Sequence, residues 1–263
     1  MLFDIGKGHK TLIMNIKSKK IKVLLFFTVT FFFNLKSISQ ENVLFVTYKK
    51  NSILSESKKI KDANQLKRVK NFDDEQNNEL KNVEYYLTCN KSESLFKVQD
   101  ILKKDNNRRK KLFIKLGGGG DIVYTNFKTK EQLWEKEAFG SLFLVSNNIN
   151  AYKWQLQNKS KKIGKYTCYK AIGEKNIVVK GKNKKVELTA WYSPELNFPF
   201  GPAEYCNLPG LILEISDSNI KFVASKIEFN QIDKKYKISK PTKGEKVTLE
   251  ELKRIGSKLI LKQ

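Results

Sequence analysis

Short apolar runs, rich in aromatic and β-branched residues, alternate along this chain with polar turns. Residues 43–48 (VLFVTY) suit a strand, and 83–89 (VEYYLTC) and 94–102 (SLFKVQDIL) flank Asn90, Lys91, Ser92 and Glu93 as the two arms of a hairpin. Residues 121–127 (DIVYTNF) and 133–147 (LWEKEAFGSLFLVSN) continue the pattern, as do 166–172, 176–179, 186–192, 211–215 and 221–229. Within 211–215, a period of two puts Leu211, Leu213 and Ile215 on one face and Ile212 and Glu214 on the other. Residues 51–82 are polar and read as a loop or a weak helix; residues 103–111 are a second polar insert. Gly117 to Gly120 lack the GK[ST] and the following helix that a phosphate loop needs, and read as a hairpin tip. Near the end, Thr248 and Glu251 fit a capping box that starts a helix to about Leu261, with Leu252, Ile255 and Leu259 on one stripe facing the sheet. Many short strands at this spacing predict a mainly β fold, a single domain over 40–263 with a curved antiparallel sheet and a C-terminal helix.

The beginning of the chain follows a different pattern. Residues 17–39 carry Lys17, Lys19, Lys20 and Lys22, then an apolar run from Val23 to Phe33, then Ser37, Ile38 and Ser39. That is the layout of a secretory signal peptide, and the run is far short of the ~20 apolar residues that span a bilayer. The expectation is therefore an upstream extension and signal peptide over 1–39, cleavage between Ser39 and Gln40, and a mature chain without a transmembrane span in the periplasm or elsewhere in the envelope.

Charge and residue inventory narrow the chemistry. The formal net charge is +24, and residues 40–263 hold 44 Lys and Arg against 26 Asp and Glu, leaving +18. The basic residues are spread along the chain, which suits either attraction to polyanions or a solvated Lys-rich surface; with no nucleic-acid motif and with export expected, nucleic acid is not the partner read here. His9, Met1 and Met14 all precede the expected cleavage point, so the mature chain has neither His nor Met. That excludes Ser-His-Asp and Cys-His catalysis, His-ligated zinc and Met-rich copper sites. No cofactor or metal site is read. Cys89, Cys168 and Cys206 are far apart and allow either one disulfide with a free thiol or three buried thiols.

The densest local signal is NFPFGPAEYCNLPGLILEI at 197–215, where Gly201-Pro202 and Pro209-Gly210 mark two turns ahead of a strand. With Trp154, the stretch Lys162 to Ala171, Thr189-Ala190-Trp191-Tyr192 and Leu208-Pro209-Gly210-Leu211-Ile212, this segment resembles the GLPGLI family of exported bacterial proteins over about residues 150–215, with weaker support back to Val83. Asn207 replaces the first glycine of the name, and Tyr205 stands where Phe is usual; Asn is the non-glycine residue that best tolerates positive φ, so the turn survives. The resemblance implies export and no established reaction, and it carries over no catalytic residue. Leu, Pro and Gly supply shape without a reactive group, so the motif reads as packing.

The preferred functional reading is a non-catalytic envelope protein that binds an amphipathic ligand or a protein partner near Trp154, Trp191, Tyr192, Tyr205 and Glu214. The alternative is a carboxylate-dependent hydrolase, for which Glu187, Glu195, Glu204 and Glu214 are the candidates.

Overall fold

The computed structural model describes residues 43–52, 60–99, 107–115, 119–179, 182–217, 220–229 and 237–260; the leader at 17–39 lies outside them. Strand β1 (Leu44–Ser52) is almost wholly buried and pairs with β2 (Tyr85–Cys89) on one side and β11 (Ile220–Phe229) on the other. From β2 the chain steps outward through β3 (Glu93–Val98), β4 (Ile122–Asn126), β5 (Glu131–Ala138) and β6 (Ser141–Asn147). A second meander, β7 (Gln155–Ile163), β8 (Tyr166–Val179), β9 (Lys182–Ser193) and β10 (Leu211–Ser216), steps inward to β11. Finally β12 (Glu245–Thr248) joins the free side of β6.

The product is an open sheet of twelve strands in the order β12-β6-β5-β4-β3-β2-β1-β11-β10-β9-β8-β7. It is mainly β, as the alternating pattern predicts. It is mixed rather than wholly antiparallel, because β12 runs parallel to β6 after a long return from β11 rather than after a hairpin.

Chain connectivity requires this sheet to curl. Strands β6 and β7 are ten places apart in the order, about 48 Å if the sheet were flat. The link from Asn147 to Gln155 can extend only about 27 Å. The ends must therefore approach each other, and the loop between β9 and β10 fills the hollow between them. Gln132 of β5 donates from Nε2 to the Glu204 carbonyl at 3.1 Å, the Tyr48 hydroxyl of β1 donates to the Ile212 carbonyl at 2.7 Å, and Trp154 Nε1 donates to the Cys206 carbonyl at 3.0 Å. The principal core lies in that hollow: Leu44, Val46 and Tyr48 meet Tyr85, Leu87 and Phe96 from one side and Leu188, Leu213 and Phe222 from the other.

Among the described residues, three helices decorate the sheet. The polar stretch after β1 forms α1 (Ala63–Leu80), capped by the Asp62 carboxylate, which accepts from Gln65 N at 2.7 Å. The second polar insert contains α2 (Arg108–Lys115), which buries Phe113 and Ile114. Gly119 and Gly120 follow α2 and lead into β4, so the expected hairpin tip is instead a helix-to-strand link; Gly117 and Gly118 lie outside the described residues. Helix α3 (Leu249–Ile260) starts with the expected capping box, Glu251 N donating to Thr248 Oγ1 at 3.2 Å and Thr248 N to Glu251 Oε2 at 2.7 Å. Leu252 packs with Phe143 and Val145, flanked by Ile255, whereas Leu259 stays 44% exposed, so only part of the stripe docks.

Candidate functional site

The loop that fills the hollow is built from the prolines, glycines and aromatics that stood out in the sequence. Leu196, Phe198, Phe200, Tyr205, Cys206 and Leu208 are all buried. Backbone bonds from Asn207 N to the Pro199 carbonyl, Leu211 N to the Leu196 carbonyl and Ile212 N to the Phe200 carbonyl, each 2.9 Å, close it on itself. Asn207 sits at φ +70°, the left-handed geometry expected of the residue that replaces glycine. Gly210 has φ +148°, and a Cβ there would lie 2.2 Å from the Ser193 carbonyl oxygen. A Cβ at Gly201 would meet the Ile212 side chain at 2.8 Å. Both glycines thus allow the loop to press against the strands on either side of it.

A bulge in β10 corrects the facing read from the period of two. Leu211 pairs with Ser193 and Ile212 with Tyr192, but Glu214 then pairs with Trp191 and Ile215 with Ala190. The register slips by one across Leu213, which places Ile212 and Ile215 on one face and Leu211 and Glu214 on the other.

This register separates the aromatic residues singled out in the sequence. Trp191 and Tyr192 are consecutive on β9 and point to opposite faces. Tyr205 lies in the hollow beside Tyr152, their ring centroids 5.2 Å apart, and accepts at its hydroxyl from Lys175 Nζ at 3.1 Å. Trp154 joins this group, packed over Gly173 and 5.9 Å from the Tyr152 ring. On the opposite face, Trp191 and Glu214 share Lys161, whose ammonium lies 4.4 Å from the indole centroid and 2.7 Å from the carboxylate. Trp154 and Tyr205 therefore share an inner cluster through Tyr152, Tyr192 lies apart from them beside Tyr169 with 6.4 Å between ring centroids, and Trp191 and Glu214 form an outer pair.

Three of the four carboxylates considered for hydrolysis have separate partners. Glu214 holds Lys161, Glu204 accepts from the Tyr152 hydroxyl at 3.2 Å, and Glu195 accepts from Thr167 N at 3.1 Å. Glu187 faces Glu174 across β8 and β9, where Lys185 binds Glu174 at 2.9 Å. Buried polar groups are mainly structural: Lys175 bridges to Asp217 at 2.5 Å, and Lys50 donates to the Phe113 and Ile114 carbonyls at the end of α2. Burial pushes the Lys50 ammonium down to about 7, against the pull of Asp217 and Asp121. Cys89, Cys168 and Cys206 are free and buried, and burial raises the Cys89 and Cys206 thiols above their usual range. Among the described residues no group of His, Cys, Asp and Glu could hold a metal ion.

A cavity of about 670 Å³ lies elsewhere, between β5, β6, β12 and the segment 240–242. Its apolar wall is Leu133, Leu144 and Pro241, and its charged groups are Glu131, Lys240, Lys246 and Glu251. The volume falls in the range of small-molecule sites, about 300–1,000 Å³. Gly244, at φ +104°, makes this wall possible, since a Cβ there would come within 2.7 Å of the Phe143 backbone. Sequence reasoning missed the site because its lining comes from separate segments, none with an unusual residue. Gly244 was the available signal. A second cavity, about 400 Å³, is bordered by Asn150, Gln155, Glu174, Asn176, Lys185 and Glu187 and is largely polar.

No helix among the described residues is long and apolar enough to cross a membrane. A family model described as "Protein of unknown function (Porph_ging)" matches residues 174–214, from β8 through the buried loop into β10. No curated protein matches the chain. Two solved structures of PNGF-II, in space groups P21 and C2, are each similar at a TM-score of 0.47 and 15% identity, over 81% of this chain and 32% of theirs. The chain thus spans about a third of the length of the structures it resembles.

Proposed function

We propose that the chain is an exported protein of the GLPGLI type that binds an amphipathic ligand without catalysis, and that the ligand enters the cavity between β5, β6 and β12. The observation that carries this reading is the juxtaposition of Leu133, Leu144 and Pro241 with charged groups of both signs in one 670 Å³ space. An apolar wall with a few polar groups at its margin suits a molecule that is itself part apolar and part charged. The inner aromatic cluster is already filled by its own residues, with Tyr205 only 3% exposed, which favours a packing role there. The separate partners of Glu195, Glu204 and Glu214 support binding over hydrolysis.

The test is titration of the protein with 1-anilinonaphthalene-8-sulfonate, followed by displacement with alkyl amphiphiles. Saturable binding that Thr242→Trp abolishes, by filling the cavity from its exposed margin, is the expected result. Binding that persists in a folded Thr242→Trp protein would place the ligand elsewhere. Export is tested separately by N-terminal sequencing of the protein from an envelope fraction, with a start at Gln40 expected and a start at Met1 or Met14 refuting it.

A further inference from the structure

We infer that the occupant of this cavity is an anionic amphiphile, an alkyl chain ending in one carboxylate or phosphate, and that Lys246 binds its head group. This rests on the proposal that the cavity is the binding site.

The argument comes from the internal pairing of the cavity's charges. Glu251 is engaged by the helix cap: Thr248 donates to its carboxylate from N at 2.7 Å and from Oγ1 at 2.9 Å. Those two bonds hold the Glu251 carboxyl below its ordinary range, so it stays a committed anion. Glu131 is engaged by Lys240 at 2.8 Å, a pair at the exposed margin. Lys246 alone among the four has no side-chain hydrogen-bond or ion-pair partner among the described residues. Its backbone pairs with Leu144 across the parallel β12–β6 ladder, so the two side chains leave the sheet on the same face, and both residues line the cavity.

Lys246 is therefore the cavity's one cation whose side chain has no partner among the described residues. A cationic head group would meet Glu131 already bridged by Lys240 and Glu251 with one oxygen held by the cap, whereas an anionic one can take Lys246 without breaking an existing bond. Lys240 is a second donor, available at the cost of its exposed bridge to Glu131, and exposed bridges contribute little. The alkyl chain would lie along Leu133, Leu144 and Pro241, from which it excludes water.

The experiment compares four probes of equal chain length on the full chain: dodecanoate, dodecyl phosphate, dodecyltrimethylammonium and dodecyl maltoside. Both anions should bind about tenfold tighter than the other two, the size of one charge-assisted hydrogen bond. Lys246→Met should remove that preference without changing dodecyl maltoside affinity, and Lys246→Arg should keep it. Whichever anion binds tighter distinguishes a free carboxylate from a phosphate-bearing lipid as the natural source. Equal affinity for all four probes would overturn the anionic assignment and leave the cavity reading standing; no binding of any probe would remove both. Anion binding that survives in Thr242→Trp would mean attraction to the basic surface alone and would also overturn it.

Discussion

Replacing Gly210 by alanine should destabilise the fold more than any other single methyl addition in the buried loop. Two independent strains coincide at this position. The backbone holds φ +148°, outside the range that L side chains adopt, at a cost of about 1–3 kcal/mol. The added methyl would also sit 2.2 Å from the Ser193 carbonyl oxygen and 2.8 Å from Pro194 N, both backbone atoms that cannot rotate aside. Overpacking of this kind adds about 1–3 kcal/mol. Reduced freedom of the unfolded chain returns about 0.4–1 kcal/mol, leaving a net loss of roughly 1–6 kcal/mol. For a domain of this size, each kcal/mol lowers Tm by about 2–4 °C. Urea unfolding and thermal scans of wild type and Gly210→Ala measure this directly, with a reduced midpoint and an unchanged denaturant slope expected. A Tm within about 2 °C of wild type would refute the reasoning.

Other perturbations test separate parts of the structure. Gly244→Ala should displace the cavity wall, because its methyl would lie 2.7–3.0 Å from the backbone of Phe143, Leu144 and Leu142; the expected result is at least about tenfold weaker amphiphile binding in a protein that remains folded by circular dichroism. The Lys50 ammonium releases its proton at about 7 in the fold and at about 10.5 in the unfolded chain, so stability from this site is least below pH 7 and grows as pH rises toward 10. Wild type should gain about 2 kcal/mol from pH 7 to 9 relative to Lys50→Met, measured by urea unfolding at each pH; parallel profiles would disprove the assignment. Glu214→Gln should cost no more than about 1 kcal/mol, since its pair with Lys161 is partly solvated, and should leave ligand binding unchanged.

The loop was legible because Pro202, Pro209, Gly201 and Gly210 announce turns and because Phe198, Phe200 and Tyr205 need burial; even the geometry of Asn207 followed from its residue type. Strand β7 was not legible. Its sequence, QLQNKSKKI, is polar along its length because it is an edge strand with little to bury. The four-residue β12 was too short to show a period. Phe139 concealed the hairpin between β5 and β6: it sits at φ +52° beside Gly140 at +79°, in a two-residue turn where Asn or Gly is usual. The bulge at Leu213 was invisible because a slip of one residue leaves no trace in a run of aliphatic side chains. The candidate cavity was hidden for a related reason, since its lining depends on β12 returning to β6, a pairing that no local pattern specifies.

The position of β1 also determines when the fold can form. Its pairs with β11, from Ser52 with Ile220 to Leu44 with Phe229, join residues 168 to 185 apart in sequence. The strand at the centre of the sheet thus remains half-paired during synthesis until β11 has emerged, and contacts of such long range make folding slow. A growing chain can close the β2–β6 meander early but cannot join it to the β7–β10 meander until then. The β2–β6 and β7–β10 halves of the sheet are therefore separate folding units until β11 reaches β1 and joins them.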